Sequence, residues 1–251
     1  VIIFCLVCVI GISGYKVGTA LYKYHHSRSG FKQVAKEAKV DPNQFTGVVD
    51  FEALQKVNPD VVGWIYQKDT IINYPIMRGS DNDQYLHSDI NKKYSVSGSI
   101  FMDYRNSGDF SDFNTIVYGH HMHDGSMFKS LRGYTKETDY YKDHKTFELI
   151  TPDKKYHLQI VSAFITPATS EAYTYSFNNI ADKQAFLNYA VKNSKISTGV
   201  TATTDDKIIT LSTCAYDYDE ARYVVICKAV PWTKKEIKAG EKLQAKIDKQ
   251  K

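Results

Sequence analysis

Residues 208–227 read IITLSTCAYDYDEARYVVIC, two apolar, β-branched runs on either side of a polar connection. This pattern predicts two adjacent strands joined by a short loop. Side chains alternate along a strand, so Ile208, Thr210, Ser212 and Cys214 share one face, and Arg222, Val224 and Ile226 share a face of the next. A hairpin with Cys214 opposite Arg222 brings a thiol and a guanidinium over the same side of the sheet. In that register Cys227 falls opposite Ile209, ~16 Å along the strand from Cys214 at ~3.3 Å per residue. No disulfide spans that distance, and parity sends Cys227 to the opposite face as a buried packing residue.

The texture around this pair is β-rich from Pro59 onward. Short runs rich in Val, Ile, Thr, Tyr and Phe (VVGWIYQ, TIINYPIM, SGSIFMDY, NTIVYG, KTFELIT, KYHLQIVSAFITP) are separated by turn signals such as GSDND and TPDKK. With the final pair they make about eight strands, which indicates a barrel or a sandwich. Two helical intervals interrupt them. SMFKSLRGY (126–134) is short and is expected to stop at Gly133, whereas ADKQAFLNYAVKNSK (181–195) aligns Phe186, Leu187, Ala190 and Val191 as one apolar stripe. The 19 tyrosines are scattered and read as core and surface aromatics.

Composition bounds the rest. The 251 residues are 43% hydrophobic and 24% charged, as in an ordinary globular protein with one domain and appendages. The net charge of +4 resides in the lysines of residues 234–251, and the remainder balances, so no nucleic-acid partner is expected. That tail reads as a solvated, frayed helix, with attraction to anionic wall polymers or lipid headgroups as the sharper alternative. Four cysteines at 5, 8, 214 and 227 offer no disulfide framework.

Residues 1–12 (VIIFCLVCVIGI) are uninterrupted apolar sequence, and no charge occurs before Lys16. We read residues 1–22 as the remaining part of a membrane anchor; a cleaved signal-peptide core and a buried helix are the alternatives. Residues 23–57 then form a stalk with a helix over FKQVAKEAK and another over FEALQKV, the latter capped by Asp50 and ended by Asn58 and Pro59.

A thiol beside a cation needs a base. NTIVYGHHMHDGSMF places His120, His121 and His123 just after a strand and a glycine. A histidine near Cys214 could exchange its proton with the thiol, and Arg222 could stabilise charge on an attacked carbonyl. His120, His123 and Asp124 could also be metal ligands, but H-x-x-H with no second cluster completes no recognised pattern, so no metal is expected. As loop residues, His121 and His123 are expected at the surface.

These motifs together resemble a class B sortase, a membrane-anchored cysteine transpeptidase of Gram-positive bacteria. TLSTC (210–214) is similar to the family's TLxTC signature, Arg222 in ARYVV to its arginine on the following strand, and His120 in YGHHM to its histidine. Supporting stretches are NPDVVGWI (58–65), NYPIMRGSDNDQYL (73–86), GSIFMDYRN (98–106) and DGSMFKSL (124–131). The resemblance implies an eight-stranded sortase barrel over residues 58–232 with N-terminal helices, one long helix before the nucleophile strand, and the basic tail 233–251 outside it.

It also implies a mechanism. Cys214 attacks the Thr carbonyl of an LPxTG- or NPxTN-like sorting signal of a surface protein, His120 acts as acid and base, and Arg222 holds the oxyanion. Ser212 and Thr213 line the substrate site, and no cofactor is needed. The acceptor is an amine of a peptidoglycan cross-bridge or a pilin. The resemblance further implies a single-pass membrane protein with its catalytic domain outside the cell. Two other readings compete. A papain-like or cell-wall cysteine hydrolase places Cys before His and on a helix, the reverse of this order. A non-catalytic β-rich surface protein would carry a sorting signal of its own, and none is present here.

Overall fold

The computed structural model describes residues 2–215 and 217–250, the side chains of 2–7, 24 and 26 excepted. Eight strands form in the segments whose alternation and turn residues predict them. They are β1 (Val61–Tyr66), β2 (Asn73–Met77), β3 (Ile100–Met102), β4 (Asn114–Tyr118), β5 (Thr146–Ile150), β6 (Lys155–Pro167), β7 (Lys207–Cys214) and β8 (Ala221–Pro231). They close into a barrel in the order β1-β2-β3-β4-β7-β8-β6-β5, so no edge is left unpaired. The pairs β2/β3 and β4/β7 are parallel and the others antiparallel.

Alternation sorts the wall into two faces. Ile209, Leu211, Val225 and Cys227 point into the barrel with Ile65, Ile76, Val117 and Phe147. Burial pushes the Cys227 thiol pKa far up, which makes it an inert hydrophobe. Ile208, Val224 and Ile226 point outward and are covered by Phe186, Leu187 and Ala190 of a helix introduced below. Burying the Phe and Leu side chains contributes about 2 kcal/mol each.

Among the described residues six α-helices decorate the barrel: α1 (Ile2–Glu37), α2 (Phe51–Val57), α3 (Gly133–Lys136), α4 (Tyr140–Asp143), α5 (Ile180–Asn193) and α6 (Lys234–Asp248). Asp50 caps α2 as expected, its carboxylate accepting the Ala53 N–H at 3.0 Å. The segment expected as one helix over 126–134 is instead a 3-10 turn at Lys129–Arg132 followed by α3. Gly133 does not stop it. It has helical dihedrals and starts α3, where a Cβ would stand 2.7 Å from the Tyr140 ring.

The anchor expected over residues 1–22 is overturned. α1 is one continuous 36-residue helix that merges the expected anchor and stalk, and among the described residues no helix is long and apolar enough to cross a membrane. The physical reason is that Lys16, Lys23 and Arg28 break the apolar character of α1 along its length. The single-pass placement with an external catalytic domain falls with it. Cys5, within that apolar stretch, has its side chain outside the described residues.

The basic tail is also more than a frayed appendage. Thr233 and Glu236 form a capping box at the start of α6, and the buried Gln244 Oε1 accepts from Thr46 Oγ1 at 2.8 Å. Gly240 lets the helix backbone approach the Thr46 carbonyl, which a Cβ there would meet at 2.1 Å. Trp232 lies over Gly47, donates to Glu148 Oε2 at 2.8 Å and stacks on His157. The lysines of α6 face outward.

Candidate active site

Strands β7 and β8 pair in the register the alternation predicts, with Cys214 opposite Arg222 and Ile209 opposite Cys227. The Ala215 N–H donates to the Ala221 carbonyl at 2.8 Å, so the neighbouring Cys214/Arg222 pair is of the close, non-hydrogen-bonded type. Such pairs bring their Cα atoms to about 4.5 Å. Arg222 is held by its own loop: Nη2 donates to Glu220 Oε2 at 2.9 Å and Nη1 to the Ala221 carbonyl at 3.0 Å.

The histidine arrives from the other side. β4 runs parallel to β7, with Tyr118 beside Ser212, and the Gly119 N–H donates to the Ser212 carbonyl at 3.0 Å. Tyr118, two residues before His120, thus stands beside Ser212, two residues before Cys214. Cys214 is paired with Arg222 on β8, and the chain leaving β4, the other neighbour of β7, carries His120. The imidazole of His120 is mostly buried. Burial pulls its pKa below the ordinary 6.5, His87 adds to that, and the Leu86 carbonyl opposes it. That carbonyl accepts from Nε2 at 2.7 Å, and the His87 ring lies 5.7 Å away. With Nε2–H committed to Leu86, Nδ1 is the nitrogen left to exchange a proton.

Ser212 and Thr213 separate. Ser212 shares the Cys214 face, and its hydroxyl pairs with Tyr173 Oη at 2.8 Å. Thr213 points to the inner face opposite Tyr223, where its buried Oγ1 has no hydrogen-bond partner. Its side chain is thus turned away from the face that carries Cys214. His121, expected at the surface, is buried, and its Nδ1–H donates to the Cys214 carbonyl at 2.7 Å. It braces Cys214 through the main chain. Among the described residues no three His, Cys, Asp or Glu side chains are grouped to hold a metal ion.

Several residues of the site carry no sequence signal. Tyr173 stands on a 3-10 turn (Glu171–Tyr173) between β6 and α5; burial raises its pKa to about 12, an effect that Ser212 and Arg222 oppose and Cys214 reinforces. Its ring stacks on Tyr118 at 6.2 Å, and Tyr118 Oη donates to the fully buried Asp103 at 2.9 Å. Asp103 grips Arg105, whose guanidinium covers the Tyr175 ring at 4.0 Å. Arg105, Tyr173 and Tyr175 line a cavity of about 460 Å³ with Ser170, and Tyr173 joins it to β7 through the Ser212 hydroxyl. Larger cavities under α1 and beside Trp232 do not reach Cys214.

A closed barrel that pairs a strand cysteine with an arginine, next to a strand followed by a histidine loop, is the framework of a cysteine acyl-transfer enzyme. Comparison with known proteins gives the family. A Sortase domain model matches residues 65–230. Sortase B of Staphylococcus aureus is 36% identical over 229 residues, covering 90% of this chain and 93% of that protein. Sortase B of Listeria monocytogenes is 37% identical over 231 residues, covering 88% and 94%. Among solved structures, a Staphylococcus aureus sortase B–substrate complex aligns with TM-score 0.76 at 34% identity, covering 84% of this chain and 100% of that one. A Bacillus anthracis sortase B aligns with TM-score 0.75 at 34% identity, again covering 84% and 100%. The chain belongs to the sortase family, in its B class, and is a cysteine transpeptidase of cell-wall sorting.

Proposed function

We propose that Cys214, His120 and Arg222 carry the reaction, on an LPxTG- or NPxTN-like sorting signal at the C-terminal end of a surface protein. What supports this reading most is the strand pairing, which sets Cys214 opposite Arg222 and puts Tyr118, two residues before His120, beside Ser212, two residues before Cys214. His120 Nδ1 takes the thiol proton. The sulfur attacks the Thr carbonyl, forming a C–S bond, and Arg222 stabilises the oxyanion by sharing the guanidinium that Glu220 otherwise holds. Collapse breaks the C–N bond, and the proton on His120 passes to the leaving amine. The incoming amine then loses its proton to His120 and attacks the thioester, and the Cys214 thiolate leaves.

The depressed His120 pKa favours a neutral imidazole above about pH 6.5, the form that can accept the thiol proton. Ser212 and Tyr173 shape the substrate groove on the Cys214 face, and the acceptor is an amine of a peptidoglycan cross-bridge or of a pilin. The test replaces Cys214 by Ala and His120 by Ala separately and follows cleavage of quenched sorting peptides of both motif types. Loss of cleavage in both variants is expected; cleavage surviving in either removes that residue from the mechanism. Peptide cross-bridge and pilin-lysine acceptors offered in competition then identify the amine.

A further inference from the structure

The His120 imidazole is fixed by two segments. One is the connection between β2 and β3, which supplies the Leu86 carbonyl and the His87 ring. The other is the loop after β4, residues 119–128, which carries His120 itself and folds back on it through the Phe128 N–H to His120 carbonyl bond at 3.0 Å. This loop is closed by a bridge between His121 and Met127, and its backbone is left-handed at Gly125 (φ 91°) and at Met127 (φ 59°). A non-glycine residue keeps such a conformation only where its surroundings hold it.

One face of α1 touches both segments. Arg28 grips Asp124 of the histidine loop at two points, with Nε 3.0 Å from Oδ2 and Nη2 donating to the main-chain carbonyl at 2.8 Å. Asp124 in turn organises the loop, its Oδ1 accepting from Ser126 N at 3.0 Å and Ser126 Oγ at 2.6 Å. Nearly one turn further on, Phe31 packs edge-on against Tyr74 at 5.1 Å. The Tyr74 hydroxyl accepts the Met127 N–H at 3.1 Å and so holds the left-handed residue. Ser27, beside Arg28, pairs with Ser95 Oγ at 3.1 Å and ties the helix to the β2–β3 connection.

Three residues of α1 thus converge on the two walls between which the imidazole lies. We propose that Arg28 is a positioning residue for the His120 imidazole and that α1, beyond the catalytic barrel, sets the proton-transfer geometry of the site. This deepens the assignment of His120 as acid and base and rests on it. The planar guanidinium is suited to the role because it binds a carboxylate and a carbonyl at once, which an ammonium does not reproduce. Asp124 is largely sheltered while Arg28 is half exposed, so the contact is a moderate one.

The test uses the full chain with Arg28→Gln, Arg28→Lys and, as a control on the same helix, the exposed Lys32→Gln. For Arg28→Gln, kcat on a sorting peptide falls about five- to tenfold with KM within about twofold, because a displaced acid and base costs rate more than binding. Arg28→Lys falls between parent and Gln variant, and Lys32→Gln matches the parent. A second readout needs no substrate. The pH dependence of Cys214 alkylation, read by mass spectrometry against the exposed Cys8 in the same chain, moves to higher pH in Arg28→Gln while Cys8 stays unchanged. Parent-like kcat and alkylation profiles in Arg28→Gln overturn the proposal. So does a loss of kcat that tracks a lowered melting temperature with an unmoved alkylation profile. If His120→Ala leaves both cleavage and the alkylation profile of the parent intact, the assignment of His120 has failed, whatever Arg28 does.

Discussion

Replacing Asp103 by Asn tests how the substrate groove is held. The carboxylate is fully buried, and its Oδ2 accepts from Arg105 Nη2 at 2.7 Å, Tyr118 Oη at 2.9 Å and Asn82 Nδ2 at 3.2 Å. Its Oδ1 accepts from Arg105 N at 3.0 Å and Arg105 Nε at 2.8 Å. An Asn side chain keeps the Oδ1 bonds but turns an NH2 toward three donors. Tyr118 and Asn82 can reorient to accept; the guanidinium cannot. The loss is therefore one charge-assisted bond and the partner of a buried ion pair, and the one-third exposure of Arg105 lets water recover part of it. Together these come to roughly 3 kcal/mol, or a fall in melting temperature of about 6–12 °C for a chain of this size.

The effect has a defined pH dependence. Burial pushes the Asp103 pKa up, but the bonds from Arg105, Tyr118 and Asn82 outweigh it and hold the carboxyl below its ordinary 3.8. A depressed carboxyl stabilises the fold above its unfolded pKa, and that contribution is lost as pH falls through the folded value. The gap between parent and Asp103→Asn should thus persist at neutral pH and close below about pH 4. Thermal melts by circular dichroism across pH 3–8 measure it. A melting temperature within about 2 °C of the parent at pH 7, or a gap unchanged at pH 3, refutes the reasoning.

Gly240→Ala forces a Cβ against the Thr46 carbonyl, so α6 should lift from residues 46–47 at a cost of about 1–3 kcal/mol; hydrogen exchange in 234–248 rises while cleavage stays at the parent rate. Arg222→Lys keeps the charge but loses the planar fork, and kcat/KM should drop on the order of 100-fold with Cys214 still open to alkylation; activity within about threefold of the parent would reduce Arg222 to a strand cation. His120 and His121 are both held below pKa 6.5, first by burial. Each contributes stability above about pH 6.5 that is lost as pH falls through the lower folded value. NMR titration of the two rings should therefore give midpoints below 6.5, and the acid limb of kcat/KM should follow that of His120.

What the sequence could reveal depended on how local the controlling physics was. The hairpin was legible because a strict alternation between two turn signals fixes parity, and parity placed Cys214 against Arg222 and sent Cys227 inward. The eight strands were legible for the same reason. His120 and His121 are adjacent and chemically alike, and only the folded loop takes one to the Leu86 carbonyl and the other to the Cys214 carbonyl. Tyr173 lies 39 residues before Ser212, and no periodicity announces that pairing. α1 was divided into anchor and stalk by its change in hydropathy, yet no proline interrupts the chain before Pro42, and the backbone helix runs through the change. The docking of α6 had a local trace in Thr233-x-x-Glu236, a capping-box spelling that a reading by net charge passed over.

The central claim is that Cys214 passes an acyl group to an amine. Acid-quenched mass spectrometry of the full chain mixed with a sorting peptide tests it most directly. The expected result is a thioester on Cys214 with the mass of the peptide truncated after Thr, lost on adding an amine acceptor as an equal amount of ligated peptide appears. No adduct on Cys214, or an adduct that discharges only to the hydrolysed acid at every amine concentration, would contradict it.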